Sequence, residues 1–190
     1  MRVGVIGVQG AVSEHLAAVE RLGARGVWVR RPEQLKGVSA LIIPGGESTT
    51  ISRLLAESEL FEPVKKLGQQ GLPILGTCAG LILLAKKGDA QVARTGQRLL
   101  GLMDMKITRN AFGRQRESFE EEVEVAGVGR VVGVFIRAPA IDKTFGKCIP
   151  LASIDGRIVA ARQENLLATA FHPELTDDLR IHQFFLDFVR

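Results

Sequence analysis

Across the first half of the chain, short β-branched apolar runs alternate with stretches whose apolar residues recur at helical spacing. Residues 2–8 (RVGVIGV) are apolar on both faces of a strand, as expected where helices cover a parallel sheet on both sides. Val12, Leu16, Val19 and Leu22 then form a helical stripe that Gly23 and Gly26 end. Residues 27–31, 39–43 and 73–77 are further short strands, each bordered by a proline. Residues 50–67 and 79–86 are helical in period, the first broken near Pro63. Such alternation points to a doubly wound α/β sheet with right-handed crossovers.

From about residue 98 to 170 the pattern changes. Residues 120–125, 131–137, 147–154, 157–162 and 166–171 read as strands with no helices between them, so the sheet is expected to continue as an antiparallel or mixed extension. Ile181, Phe184, Phe185, Phe188 and Val189 mark an amphipathic helix over 177–189, capped by Asp177 or Asp178. The chain has 190 residues, no repeat and no linker. The expectation is therefore one α/β domain over 1–190: three layers, with a mixed, mostly parallel central sheet flanked by helices.

Composition removes several function classes. Twenty-five Lys+Arg against 21 Asp+Glu leave +4, spread without a long basic run, and there is no Tyr and one Trp. Nucleic-acid binding is not expected. No apolar run approaches a membrane span, and the opening MRVGVIGVQGAV reads as a first strand rather than a signal peptide. Cys78 and Cys148 stand in unlike contexts and are expected to be reduced, in the cytoplasm. No Cys/His set has zinc-ligand spacing, so no metal or other cofactor is expected; His15 and His182 fall inside helices and are assigned to polar faces.

Ligand sites in such sheets lie at the carboxyl ends of strands. Gly76-Thr77-Cys78-Ala79-Gly80 is a G-x-C-x-G run between strand and helix, the thiol counterpart of a nucleophile elbow. The turn would lift the Cys78 sulfur above the sheet and set it at a helix N-terminus, which favours thiolate. His172-Pro173-Glu174 follows an apolar strand; in extended chain His172 and Glu174 point to the same side, so the carboxylate can fix the tautomer of a general base. Pro44-Gly45-Gly46-Glu47-Ser48-Thr49-Thr50 follows strand 39–43. Its backbone N–H groups, Gly46 above all, could hold an oxyanion together with that of Ala79, while Ser48 or Thr49 caps the next helix. Without its glycines and strand–turn–helix setting, Cys78 would read as a buried core thiol.

These runs, in this order, resemble the class I, triad-type glutamine amidotransferases. Gly7-Val8-Gln9-Gly10, the Gly-Gly-Glu-Ser-Thr run at 45–49, Arg109-Asn110-Ala111-Phe112-Gly113-Arg114-Gln115 and Phe135-Ile136-Arg137-Ala138-Pro139 are similar, more narrowly, to the glutaminase subunits of two-component pyridoxal 5′-phosphate synthases. The resemblance implies that Cys78 attacks the side-chain amide of L-glutamine, with His172 as base then acid and Glu174 orienting it. It implies glutamine contacts from Gly46, Glu47, Ser48, Arg109, Ile136 and Arg137, with Arg109 as a fork for a carboxylate. It also implies a synthase partner that consumes the ammonia. Because the peptide between two consecutive glycines flips at low cost, the partner is expected to switch hydrolysis on by completing the oxyanion hole around Gly45–Gly46. The glutaminase of histidine biosynthesis, a cysteine peptidase and a non-catalytic scaffold of the same fold are the alternatives. Cys148 has no assigned role.

Overall fold

A computed structural model describes residues 1–113 and 117–189. Arg114 and Gln115, part of the Arg-Asn-x-Phe-Gly-Arg-Gln run, and Arg116 lie outside them. Strands β1 (Arg2–Ile6), β2 (Arg25–Val29), β3 (Ala40–Ile43) and β4 (Ile74–Thr77) form the parallel half of the sheet, with helices α1 (Val12–Arg21), α2 (Ser48–Glu57), α3 (Phe61–Gln69) and α4 (Ala79–Leu84) between and after them. All four residues of β3 and of β4 are buried, which explains why these strands read as continuous apolar runs.

After α4 come β5 (Ala85–Lys87), α5 (Ala90–Thr95), β6 (Met103–Thr108), β7 (Ser118–Val125), β8 (Gly129–Ile136), β9 (Ala140–Thr144), β10 (Ile149–Ile154), β11 (Arg157–Gln163), β12 (Leu166–Thr169) and α6 (Arg180–Leu186). The main sheet runs β2-β1-β3-β4-β12-β11-β9-β6-β5, with β10 added to β11. β12 lies parallel to β4, paired from Leu166 opposite Ile74 to Thr169 opposite Thr77. β11, β9 and β6 continue the sheet antiparallel, and β5 returns parallel to β6. The sheet is thus mixed, as expected.

Several local expectations change. The break in the helical stretch falls at Ser58–Leu60, where Glu59 has a φ of 59°, and not at Pro63. Pro63 sits in the first turn of α3, where N–H groups have no intrahelical partner and a missing one costs little. The helical stretch expected over 79–86 stops at Leu84 and becomes β5. α6 spans 180–186 with Leu179 as its N-cap, so neither aspartate holds that position; Asp178 instead accepts from the Arg180 N–H and pairs with its guanidinium. β7 and β8 form their own two-stranded sheet rather than extending the main one. Its inward Phe119 and Phe135 stack with ring centroids 4.7 Å apart, and Phe135 meets Phe171 at 5.7 Å, which holds the hairpin over the strand ends.

Candidate active site

The carboxyl ends of β3, β4 and β12 lie side by side and deliver three loops to one cleft. Cys78 follows β4 directly with φ 49° and ψ −100°, a conformation few non-glycine residues adopt. The flanking glycines act through close approach rather than through a special backbone conformation. Gly76 and Gly80 have ordinary φ values, and their value is close approach. A Cβ on Gly76 would fall 2.6 Å from the Gly80 backbone, and one on Gly80 would collide with the Ile43 carbonyl. The missing side chains press α4 against β3 and β4, and the strained residue between them carries the sulfur. The Cys78 N–H is tied to the Thr169 carbonyl at 2.7 Å, so elbow and β12 are joined by the backbone.

His172 stands three residues beyond β12, its N–H donating to the Val134 carbonyl of β8 at 2.8 Å. Its Nδ1 meets Glu174 Oε1 at 2.7 Å. The same-side geometry arises in a 3-10 turn over Pro173–Leu175, and not in extended chain as the sequence suggests. Burial alone would push the His172 pKa down. Hydrogen bonds that the ring donates to the Cys78 side chain and to Glu174, and the negative charges both can carry, outweigh it and push the pKa up to about 10. Glu174 is buried and still held below the ordinary carboxylate range, because His15 and His172 oppose the cost of burial. A cysteine thus shares its cleft with an imidazole of raised pKa, which is bonded in turn to a carboxylate of lowered pKa.

The cleft measures about 180 Å³ and is lined by Gly46, Glu47, Ser48, Cys78, Ala79, Arg109, Ile136, Arg137 and His172, with Ile82 and Asn110 in addition. Every residue singled out for substrate contact thus borders one opening with the sulfur. Ala79 is the first residue of α4, so its N–H is free of intrahelical bonds. Gly45 packs against the His172 ring, where a Cβ would clash.

Glu47, not Ser48 or Thr49, caps α2. Its extended backbone lets the longer side chain reach back to the Thr49 and Thr50 N–H groups at 3.1 and 2.7 Å. These bonds overcome a partial burial penalty and hold its pKa at about 2. Arg109 lies across the mouth of the cleft with its fork already engaged: Nη2 on Glu47 at 3.1 Å, and Nη1 on Thr49 Oγ1 at 3.0 Å and Gln97 Oε1 at 3.2 Å. Gln97, which the sequence reading passed over, gathers Ser48, Thr49 and Arg109 on one oxygen. No motif marked it.

His15 and His182 are the largest departure from expectation. Both are 0% exposed and belong to the core. His15 Nδ1 meets His182 Nε2 at 2.9 Å; His15 Nε2 lies 3.2 Å from Thr77 Oγ1 and 3.4 Å from Glu174 Oε2. The polar character of histidine suggests a solvent face, but each ring finds polar partners inside and so can be buried. Among the described residues no group of three or more His, Cys, Asp or Glu is arranged to hold a metal ion, and no helix is long and apolar enough to cross a membrane.

A thiol at a strained turn beside an imidazole–carboxylate pair, with the N–H of Ala79 at a helix start next to it, is equipped for acyl transfer through a thioester. Comparison with known proteins agrees in kind. The sequence model of the SNO glutamine amidotransferase family matches residues 5–190. The pyridoxal 5′-phosphate synthase subunits PdxT of Thermococcus onnurineus and Methanosarcina mazei are each 56% identical over 194 aligned positions, covering 98% of this chain and 98% of theirs. A crystal structure of a glutamine amidotransferase superposes with a TM-score of 0.92 at 46% identity, covering 98% of each chain. A glutamine amidotransferase from Thermotoga maritima shares the fold alone, with a TM-score of 0.65 at 15% identity over 98% of this chain and 83% of that one.

Proposed function

The chain belongs to the SNO glutamine amidotransferase family, and from that premise we propose how its site works. It is the glutaminase subunit of a pyridoxal 5′-phosphate synthase: it hydrolyses L-glutamine to L-glutamate and ammonia, which passes to the synthase subunit. The observation that carries the site assignment is the common cleft of Cys78 and His172, with Glu174 bonded to the imidazole.

In this reading the Cys78 thiolate attacks the amide carbon and its electron pair forms the C–S bond. The carbonyl oxygen takes up the charge and is met by the N–H groups of Ala79 and Gly46. His172 gives its proton to the departing nitrogen, and ammonia leaves. A water molecule then gives a proton back to His172 and attacks the thioester; the C–S bond breaks, the thiolate returns and glutamate is released. Glu174 keeps the imidazole oriented and supports its positive charge throughout. Ser48, Ile136 and Arg137 border the substrate, while Glu47 and Arg109 act as a pre-formed ion pair at the rim whose remaining capacity meets the charged end of glutamine. The free thiols fit a reducing, cytoplasmic setting, and the reading calls on neither a nucleic acid nor a membrane.

The Gly45–Gly46 peptide is the element we assign to partner control. The Gly45 carbonyl packs against Gly10, which has no room for a Cβ there. Glutamine hydrolysis by the purified chain, measured with and without the synthase subunit, tests both levels. Ammonia release that rises with the synthase supports the whole reading. Equal rates remove the partner-controlled peptide, and no release in the complex removes the glutaminase.

A further inference from the structure

Glu174 has two oxygens, and only Oε1 is engaged by His172. Oε2 is fully buried and makes no conventional hydrogen bond; the group facing it is His15 Nε2, at 3.4 Å. The same nitrogen lies 3.2 Å from the hydroxyl of Thr77, the residue before Cys78. On its other side His15 meets His182 Nε2 at 2.9 Å, and His182 Nδ1 is buried without a partner. We propose that His15 is a positioning residue for the hydrolysis, held in one tautomer by His182 so that its Nε2–H is aimed at the free oxygen of Glu174.

Two arrangements of protons fit the distances, and the carboxylate chooses between them. If Nε2 of His15 were bare, its lone pair would face a buried anionic oxygen at 3.4 Å, too close for a water between them. With the proton on Nε2, the N–H points at that oxygen and at Thr77 Oγ1. Nδ1 is then bare and accepts from the Nε2–H of His182. His182 Nδ1 is left bare, which matches its lack of a partner. Both N–H dipoles run in series toward Glu174. Burial holds the pKa of each ring down, opposed on His15 by the charges of Glu174 and Glu14 and reinforced by His172; on His182 burial and His15 bring it to about 3. The pair therefore acts as two neutral dipoles, which support the carboxylate without neutralising it. A charged side chain there would compete with His172 for Glu174; these rings do not.

This inference rests on the assignment of Cys78, His172 and Glu174 as the reacting set. It is tested with H15L, H15Q, H182L and H182Q, each in complex with the synthase subunit, by following kcat/KM for glutamine against pH. Gln places an N–H donor where His Nε2–H stood, and Leu does not. Leaving a buried carboxylate oxygen without its donor raises its proton affinity, so H15L should move the acid limb of the profile up by about one pH unit and lower kcat/KM by about 10–100-fold. H15Q should restore most of the rate and the original limb. H182L, which frees the His15 tautomer, should fall between wild type and H15L, with H182Q close to wild type. Nitrogen-15 spectra of the wild-type chain should show His15 protonated at Nε2 and bare at Nδ1. The opposite tautomer, a wild-type profile in H15L, or equal losses in H15L and H15Q would overturn the proposal. The rate of Cys78 alkylation against pH reads the same network without glutamine. If the complex releases no ammonia, it is the glutaminase assignment that fails, and the tautomer and alkylation data still decide the role of His15.

Discussion

Cys78 and Cys148 are buried alike, at 6% and 5% exposure, and both are free thiols. Their chemistry differs because of their neighbours. Around Cys148, burial pushes the thiol pKa up to about 11, and the negative charge of Asp104 adds to the effect. Cys78 sits at the start of α4, its Sγ 3.9 Å from the Ile136 carbonyl, in one cleft with an imidazole whose pKa is pushed up to about 10. A buried thiol is inert by default and becomes a nucleophile only where a cation and a helix N-terminus are built beside it.

The strongest way to break this contrast is C78A, which should lower glutamine hydrolysis in the complex on the order of 10⁶-fold, while binding to the synthase persists. Next comes the carboxylate that sustains the imidazolium: E174Q should cost about 10⁴-fold in kcat with the fold intact, measured by circular dichroism beside the assay. The pH dependence of stability sharpens the contrast. His172 has its pKa raised from 6.5 to about 10, so the stability it contributes is complete below pH 6.5 and drains as pH rises through 10. Thermal melts of the wild type should therefore decline over that range. In C78A the decline should begin at lower pH, because the sulfur no longer supports the proton; identical curves would deny the sulfur–imidazole coupling. The smallest effect belongs to the other thiol: C148A should leave turnover within about twofold and cost about 1 kcal/mol in a denaturant melt. Iodoacetamide at pH 8 should label Cys78 alone in the native chain, and both thiols in denaturant.

The same dependence on neighbours explains what the sequence disclosed. The elbow and the His-Pro-Glu run could be read because each packs its chemistry into a few adjacent residues. The parallel strands could be read because burial on both faces writes an apolar run. His15 could not: it falls between Val12, Leu16 and Val19 on the buried stripe of α1, and only the distant His182, Thr77 and Glu174 make that position tolerable for imidazole. Gln97 and the Glu47 cap stayed hidden for the same reason, since both act through partners brought in by folding. β6 does alternate, with Met103, Met105 and Ile107 against Asp104, Lys106 and Thr108, and was passed over, whereas β9 has no such alternation; the independence of the β7–β8 hairpin is a matter of pairing rather than pattern.

Because Thr77 and Thr169 are register partners on adjoining strands, sulfur and imidazole are mounted on two rails of a single ladder. The strand ends from which they spring cannot part without unzipping the centre of the sheet. Whatever throttles this enzyme must leave that pair alone and work on the loops around it. The framework that carries the two groups thus stays assembled at rest, and control falls to the loops that surround it.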